Sequence, residues 1–174
     1  MQLCDVVLVT RGVRVVRSQL SQEGRFPVYQ NSMIPLGYYE HSNREANSTF
    51  VIGAGAAGEI GYSYTPFWAA DDCYCFEPSP IINSRYLYYI LQKEESKISA
   101  KVRRSSVPRL SRTVLENLVI PVPSIDIQER IVAILDRFYM LCNDIASGIP
   151  AEIEARNKQY AYYRDKILGF KHVA

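Results

Sequence analysis

A chain of 174 residues can build one core with an appendage, or two very small domains, and a composition of 48% apolar and 22% charged residues excludes a disordered or fibrous polymer. A formal net charge of +2, from 20 basic and 18 acidic residues, excludes a uniformly basic binder, so a nucleic-acid role would have to come from local clusters. No run approaches the roughly 18 apolar residues of a membrane span, and MQLCDVVLVTRG lacks the basic region and long apolar stretch of a signal peptide.

In chain order, DVVLV (5–9) is apolar and β-branched and predicts a first strand. A basic cluster follows, Arg11, Arg14 and Arg17. IPLGYY reads as turn-rich, and TFVI (49–52) and CYCF (73–76) predict two further strands. In the last of these, alternation sets Cys73 and Cys75 on one face. Cys4, Cys142, His41 and His172 offer no zinc-ligand spacing beside them, so no metal is expected and all four cysteines read as reduced thiols of a cytoplasmic protein. NSRYLYYILQKEESKI (83–98) predicts a helix capped by Asn83 or Ser84, with Tyr86, Leu87, Ile90 and Leu91 at three- and four-residue spacing. Ser111 caps a short helix in SRTVLENL, and a strand-like VIPVP comes next.

Pro121 and Pro123 mark a change of character. We therefore expect a mixed α and β domain over 1–123 and a helical region over 124–174, an α+β fold in all. Ile131, Ile134, Phe138, Leu141 and Ile145 step by three and four in the manner of a coiled-coil seam. SGIP (147–150) interrupts. Ile153, Tyr160, Tyr163, Ile167 and Phe170 continue the pattern in a second helix, giving expected helices at 126–146 and 151–170. Such a hairpin either packs on its own domain or presents a seam to a partner helix. A seam this short is marginal alone, which favours a partner.

Gly53-Ala54-Gly55-Ala56-Ala57-Gly58 is a G-x-G-x-x-G directly after a predicted strand, with Asp71 and Asp72 about twenty residues on. A dinucleotide site needs a helix to open at the third glycine. Here EIGYSYTPFW brings Gly61, Pro66 and alternating aromatic residues, which predict a strand or loop instead. A plain turn, or a loop whose amides approach a phosphate backbone, both remain compatible with the glycines. No P-loop, nucleophile elbow, H-E-x-x-H or base-methylation motif is present, so neither catalysis nor a cofactor is expected.

KISAKVRRSSVPRLS is the most informative stretch. From Lys97 to Arg112 it carries Lys97, Lys101, Arg103, Arg104, Arg109 and Arg112 and no acid. Small serines between the cations predict a loop presenting guanidinium groups. Arginine neutralises phosphate or pairs bidentately with guanine, and a solvated charge run is the competing reading. The 13 tyrosines suit either partly wet interfaces or sheets.

Five segments then resemble the specificity subunits of type I restriction-modification systems, over nearly the whole chain. DVVLVTRGVRVVRSQLSQEGRFPVYQNS is similar to the opening of a target recognition domain, and NSTFVIGAGAAGEIGYSYTPFWAADDCYCFEP to its glycine turn and following strand. NSRYLYYILQ is similar to its helix, SSVPRLSRTVLENLVIPVPSIDIQERIVAILDRF to its closing passage, and AEIEARNKQYAYYRDKIL to the family's helical region. The resemblance implies a non-catalytic DNA reader. It would act on one half of a split duplex target and dock methyltransferase subunits on its helices, with motor-nuclease subunits joining the complex. Family members typically carry two recognition domains, whereas this chain has one. Two chains are therefore expected to pair antiparallel through Ile131, Ile134, Phe138, Leu141, Ile153, Tyr160, Tyr163 and Ile167. The expected DNA contacts are Arg11, Arg14, Asn31, Arg44, Lys101, Arg103, Arg104 and Arg109.

Overall fold

Alternation builds the centre of the molecule. The computed structural model describes residues 1–144 and 150–169, with the backbone alone at 143, 144 and 150–153. Strands β1 (Val9–Arg11), β4 (Ser48–Ile52), β5 (Ile60–Ser63) and β7 (Cys73–Phe76) form an antiparallel sheet in the order β1-β7-β4-β5. β2 (Phe26–Tyr29), β3 (Gly37–Tyr39) and β6 (Trp68–Ala69) form a second sheet in the order β3-β2-β6, with β2 and β6 parallel. Successive side chains of a strand face opposite ways, and both faces of the first sheet are covered. Phe50, Ile52, Cys73 and Cys75 point into a core shared with Tyr29 and Ala69 of the second sheet and with Phe67 just before β6. Val51 and Tyr74 point the other way, into the larger core beneath the helices.

That larger core is filled by α1 (Ser84–Lys93), α2 (Glu95–Ala100), α3 (Arg112–Glu116) and the N-terminal residues. Asn83 caps α1 as its sequence predicts, its side chain accepting from the amides of Arg85 and Tyr86 at 2.8 and 3.1 Å. The expected single helix over 83–98 breaks at Glu94 (φ −89°, ψ 4°), which turns α2 so that Ile98 reaches the core. Ser111 does precede α3, but its hydroxyl meets Thr113 Oγ1 at 2.6 Å and caps no amide.

Two expected strands differ. Asp5 ends a 3-10 turn, Leu3–Asp5, and the first strand starts only at Val9. The cause is tertiary: Leu3 is fully buried, its amide donates to Leu118 at 2.8 Å, and Val6 and Val7 fold back onto Leu3. VIPVP supplies a single bridge, Gln2 to Val119, and IPLGYY holds β3 inside what reads as a turn.

The last two helices are α4 (Ile125–Asp144) and α5 (Pro150–Ile167). Pro150 opens α5, a position where its missing N–H costs nothing. Both helices are tied down at the end near α1. Gln128, fully buried, accepts from the Asn83 amide at 2.8 Å and donates to the carbonyls of Ile81 and Pro123 at 2.9 and 2.8 Å. Lys93 Nζ donates to the Leu168 carbonyl at 2.8 Å, just beyond the end of α5. No described helix is long and apolar enough to cross a membrane.

Candidate nucleic-acid interface

The glycine turn is the hub of the exposed basic face. Most of its amides are already occupied. Gly53 donates to Asp72 at 2.6 Å, Gly55 to Pro108 at 3.1 Å, Ala56 to Asn31 at 2.9 Å, Gly58 to Ile52 at 2.8 Å and Glu59 to Ala56 at 3.1 Å. β5 follows the turn, with no helix opening at the third glycine. A phosphate would therefore meet few free donors here, so the turn is a clamp for other loops. Gly55 (φ +84°) is required at its place, because an added Cβ would lie 2.6 Å from the Asn31 carbonyl oxygen.

Two segments hang on this clamp. One is a hairpin closed by Arg103 and Arg109, whose backbones exchange bonds of 2.9 and 3.0 Å. Its root is fixed by Leu110, whose amide donates to Gly53 at 2.8 Å and whose carbonyl accepts from Tyr74 Oη at 3.0 Å. Its tip, Arg104 to Val107, is exposed. The other is the loop after β2, anchored by the Asn31 carbonyl. A cleft of about 430 Å³ runs between the turn and the hairpin, with Arg104 and Pro108 on one wall and Glu59 and Glu95 elsewhere on its lining.

The expected DNA contacts divide on this geometry. Asn31, Arg103, Arg104 and Arg109 come together around the clamp, all exposed, and Lys101 lies exposed at the end of α2. None of these four cations forms an ion pair among the described residues. Arg11 is exposed at the end of β1, where its Nε donates to the Asp71 carbonyl at 2.5 Å and its Nη2 lies 4.0 Å from Asp72. Asp72 also holds the Gly53 amide through its carbonyl, so Arg11 borders the same clamp. Arg14 is exposed two residues beyond Gly12, whose amide is bound to the Cys73 carbonyl. Arg44 differs. Its guanidinium turns inward to Thr10 Oγ1 at 3.1 Å and Glu77 at 3.5 Å and is only 20% exposed, so it belongs to the internal polar contacts.

The expected helical seam also divides. Ile131 is buried, and Tyr160 and Ile167 pack on the larger core. Phe138 stacks on Tyr163 inside the hairpin, ring centroids 5.6 Å apart. Ile134 and Leu141 are 45% and 51% exposed, and with Ile127 they form an outward stripe at seven-residue spacing. The side chain of Ile153, together with Ile145 and Phe170, lies outside the described residues. Leu135, absent from the heptad reading, is fully buried.

One site had no sequence signal. Arg85 in α1 is buried and pairs with Asp136 of α4 through Nη2 at 2.7 Å and Nε at 2.8 Å. Tyr62, Tyr64, Tyr88 and Tyr89 ring the guanidinium at 4.5 to 5.1 Å. Tyr89 Oη hydrogen-bonds to Asp136 and accepts from Arg85 Nη2. Burial pulls the Arg85 pKa down, but the Asp136 hydrogen bond and the surrounding charges outweigh it, and the net direction is up. Burial likewise raises the Cys73 and Cys75 thiols, which lie between the sheets as inert core groups.

A family model for the type I restriction modification DNA specificity domain matches residues 1–155. The chain belongs to that family. It is 31% identical over 174 residues to a type I specificity subunit of Mycoplasma pneumoniae, covering 97% of this chain and 72% of that protein. It is equally 31% identical over 174 residues to the type I restriction enzyme MpnII specificity subunit of the same organism, where it spans 52% of the relative. Among solved structures, the S subunit of a type I restriction-modification system from M. genitalium superposes with a TM-score of 0.76 at 17% identity. That match covers 84% of this chain and 40% of the other, and supports the fold. The chain thus spans about half to three quarters of these curated relatives and less than half of that solved subunit.

Proposed function

We propose that this chain reads DNA sequence for a type I restriction-modification complex and carries no catalysis of its own. The observation that supports it is the set of unpaired cations Arg103, Arg104 and Arg109, held with Asn31 around one glycine clamp and joined by Lys101 at the end of α2, inside a specificity-family domain. Arginine and asparagine are the side chains with bidentate base partners, and rigid loop roots hold them without an ordering cost on binding. Methyl transfer would belong to methyltransferase subunits docked on α4 and α5, with motor-nuclease subunits joining for cleavage. The occupied amides of the glycine turn argue against a nucleotide cofactor there.

Binding of the chain to duplex DNA across a salt series tests the reading. Each neutralised phosphate contributes about 0.9 to the slope of log affinity on log salt, so a slope steeper than about −3 is expected from this cation set. Binding that ignores salt, or no duplex binding beside intact methyltransferase docking, would leave a purely helical interaction module.

A second reader would meet this one through α4. Ile127, Ile134 and Leu141 give α4 an exposed apolar stripe at the spacing a partner helix would cover. Two copies paired antiparallel across it would place a reader at each end and recognise an inverted repeat with a fixed gap, the two-fold arrangement that self-complementary surfaces favour. Sedimentation at micromolar concentration should give a dimer that Leu141→Glu converts to monomer. Leu141 is the better probe than Ile167, which packs on the core. A wild-type monomer would sink the pairing.

A further inference from the structure

Ile34 is 78% exposed, more than any other large apolar side chain among the described residues. Its exposure is built in. The loop that carries it, between β2 and β3, is pinned at one end where the Asn31 carbonyl accepts from Ala56 at 2.9 Å. At the other end the Leu36 amide donates to Val28 at 2.8 Å. Met33 turns inward and packs on the core between the sheets, which forces its neighbour outward. Ser32 Oγ donates to the Ile34 carbonyl at 3.0 Å, fixing the tip, and Pro35 follows.

The surroundings say what such a side chain can meet. Through Asn31 the loop sits against Gly55, and the amide of Gly55 is bound to Pro108 of the arginine hairpin. Asn31, three residues before Ile34, therefore lies beside the root of the hairpin that carries Arg103, Arg104 and Arg109. Its immediate neighbours Met33 and Pro35 are half-buried, and the next side chains back along the loop are polar, Ser32 and the exposed Asn31. One aliphatic group among amides and cations is too small a patch for a protein partner. In the major groove of duplex DNA, the apolar feature offered by the base edges is the thymine C5-methyl, and the adenine opposite presents the donor and acceptor that asparagine matches.

We propose that the loop at residues 30–35 reads an A·T base pair, with Ile34 against the thymine methyl and Asn31 on an adenine edge. The proposal rests on the DNA-reading function and adds the base class and a new contact residue.

The test uses the full chain and duplexes enriched by it from a randomised library. Each thymine of the enriched sequence is replaced in turn by uracil, which lacks only the methyl group. Wild type should lose about fourfold in affinity at one thymine, the factor carried by burial of one methyl. Ile34→Ala should bind the thymine duplex about fourfold more weakly than wild type, yet show no further loss on uracil. Ile34→Val should keep most of the thymine preference. Thermal unfolding of these variants should match wild type, since the side chain supports no core.

Several outcomes overturn the proposal: a wild type indifferent to every uracil, an Ile34→Ala protein that loses the same factor as wild type, or a thymine preference that follows Val107 on the hairpin. In each of these DNA binding survives. Failure to enrich any duplex would instead refute the DNA-reading function itself.

Discussion

Asp136→Ala should destabilise the chain by about 3 kcal/mol, seen as a lowered midpoint in thermal or denaturant unfolding. The substitution removes one acceptor from α4 but leaves the Arg85 guanidinium buried, with its side chain only 8% exposed. A buried charge stripped of its partner is the costly case, at about 3–5 kcal/mol, and the lower end applies because Asp136 is 34% exposed. The tyrosine ring around Arg85 offsets part of the loss through cation–π attraction, about 0.5–2 kcal/mol per well-placed ring. The same reasoning gives a second expectation that separates charge from packing. Replacing both partners, as Arg85→Met with Asp136→Leu, should recover most of the loss, because the pair's desolvation cost disappears with it. If the double variant is as unstable as Asp136→Ala, the clasp acts through shape and not through its uncompensated charge. The clasp joins α1 to α4, so the double variant also asks whether a stable chain needs the ion pair to hold its helices in register with the reading domain.

Residues 49–52 and 73–76 were legible as strands because both faces of their sheet are buried, and neither end of the alternation is ambiguous. Asn83 was legible because a cap is a local interaction. The rejection of a dinucleotide site followed from Gly61 and Pro66, and β5 stands where a crossover helix would be needed. What escaped the sequence was decided by distant partners. DVVLV has the composition of a strand, yet burial of Leu3 against residues 118–120 bends its first half into a turn. Arg44 is one more surface-type cation in the sequence, and only the approach of Glu77 and Thr10 turns it inward. The heptad pattern in α4 carries two superposed signals. Ile131 and Phe138 serve the chain's own packing, while Ile127, Ile134 and Leu141 face out. Period alone does not separate a stripe that covers the domain from one that awaits another helix. Gln128 and the Arg85–Asp136 pair carried no signal in one sequence, because a buried polar residue is spelled the same as an exposed one.

Arg103→Ala combined with Arg104→Ala should weaken duplex binding by at least tenfold at physiological salt and reduce the salt slope by between about one and two units. Each guanidinium that neutralises a phosphate contributes about 0.9 to that slope. One that reads a base instead contributes about 1–3 kcal/mol of discrimination with little change in slope. The two single variants therefore sort the residues. A phosphate contact lowers affinity for all sequences alike, and a base contact relaxes selection at one position. The hairpin backbone should survive both changes. Its closing bonds run between the main chains of residues 103 and 109, and its root is held by Gly53, Gly55 and Tyr74, none of which involves either guanidinium. Unfolding midpoints unchanged from wild type are thus part of the expected result. A double variant that folds normally and binds its duplex with undiminished affinity would remove the hairpin from the interface. The reading surface would then have to be sought at Arg11 and Arg14, on the β1 side of the glycine clamp.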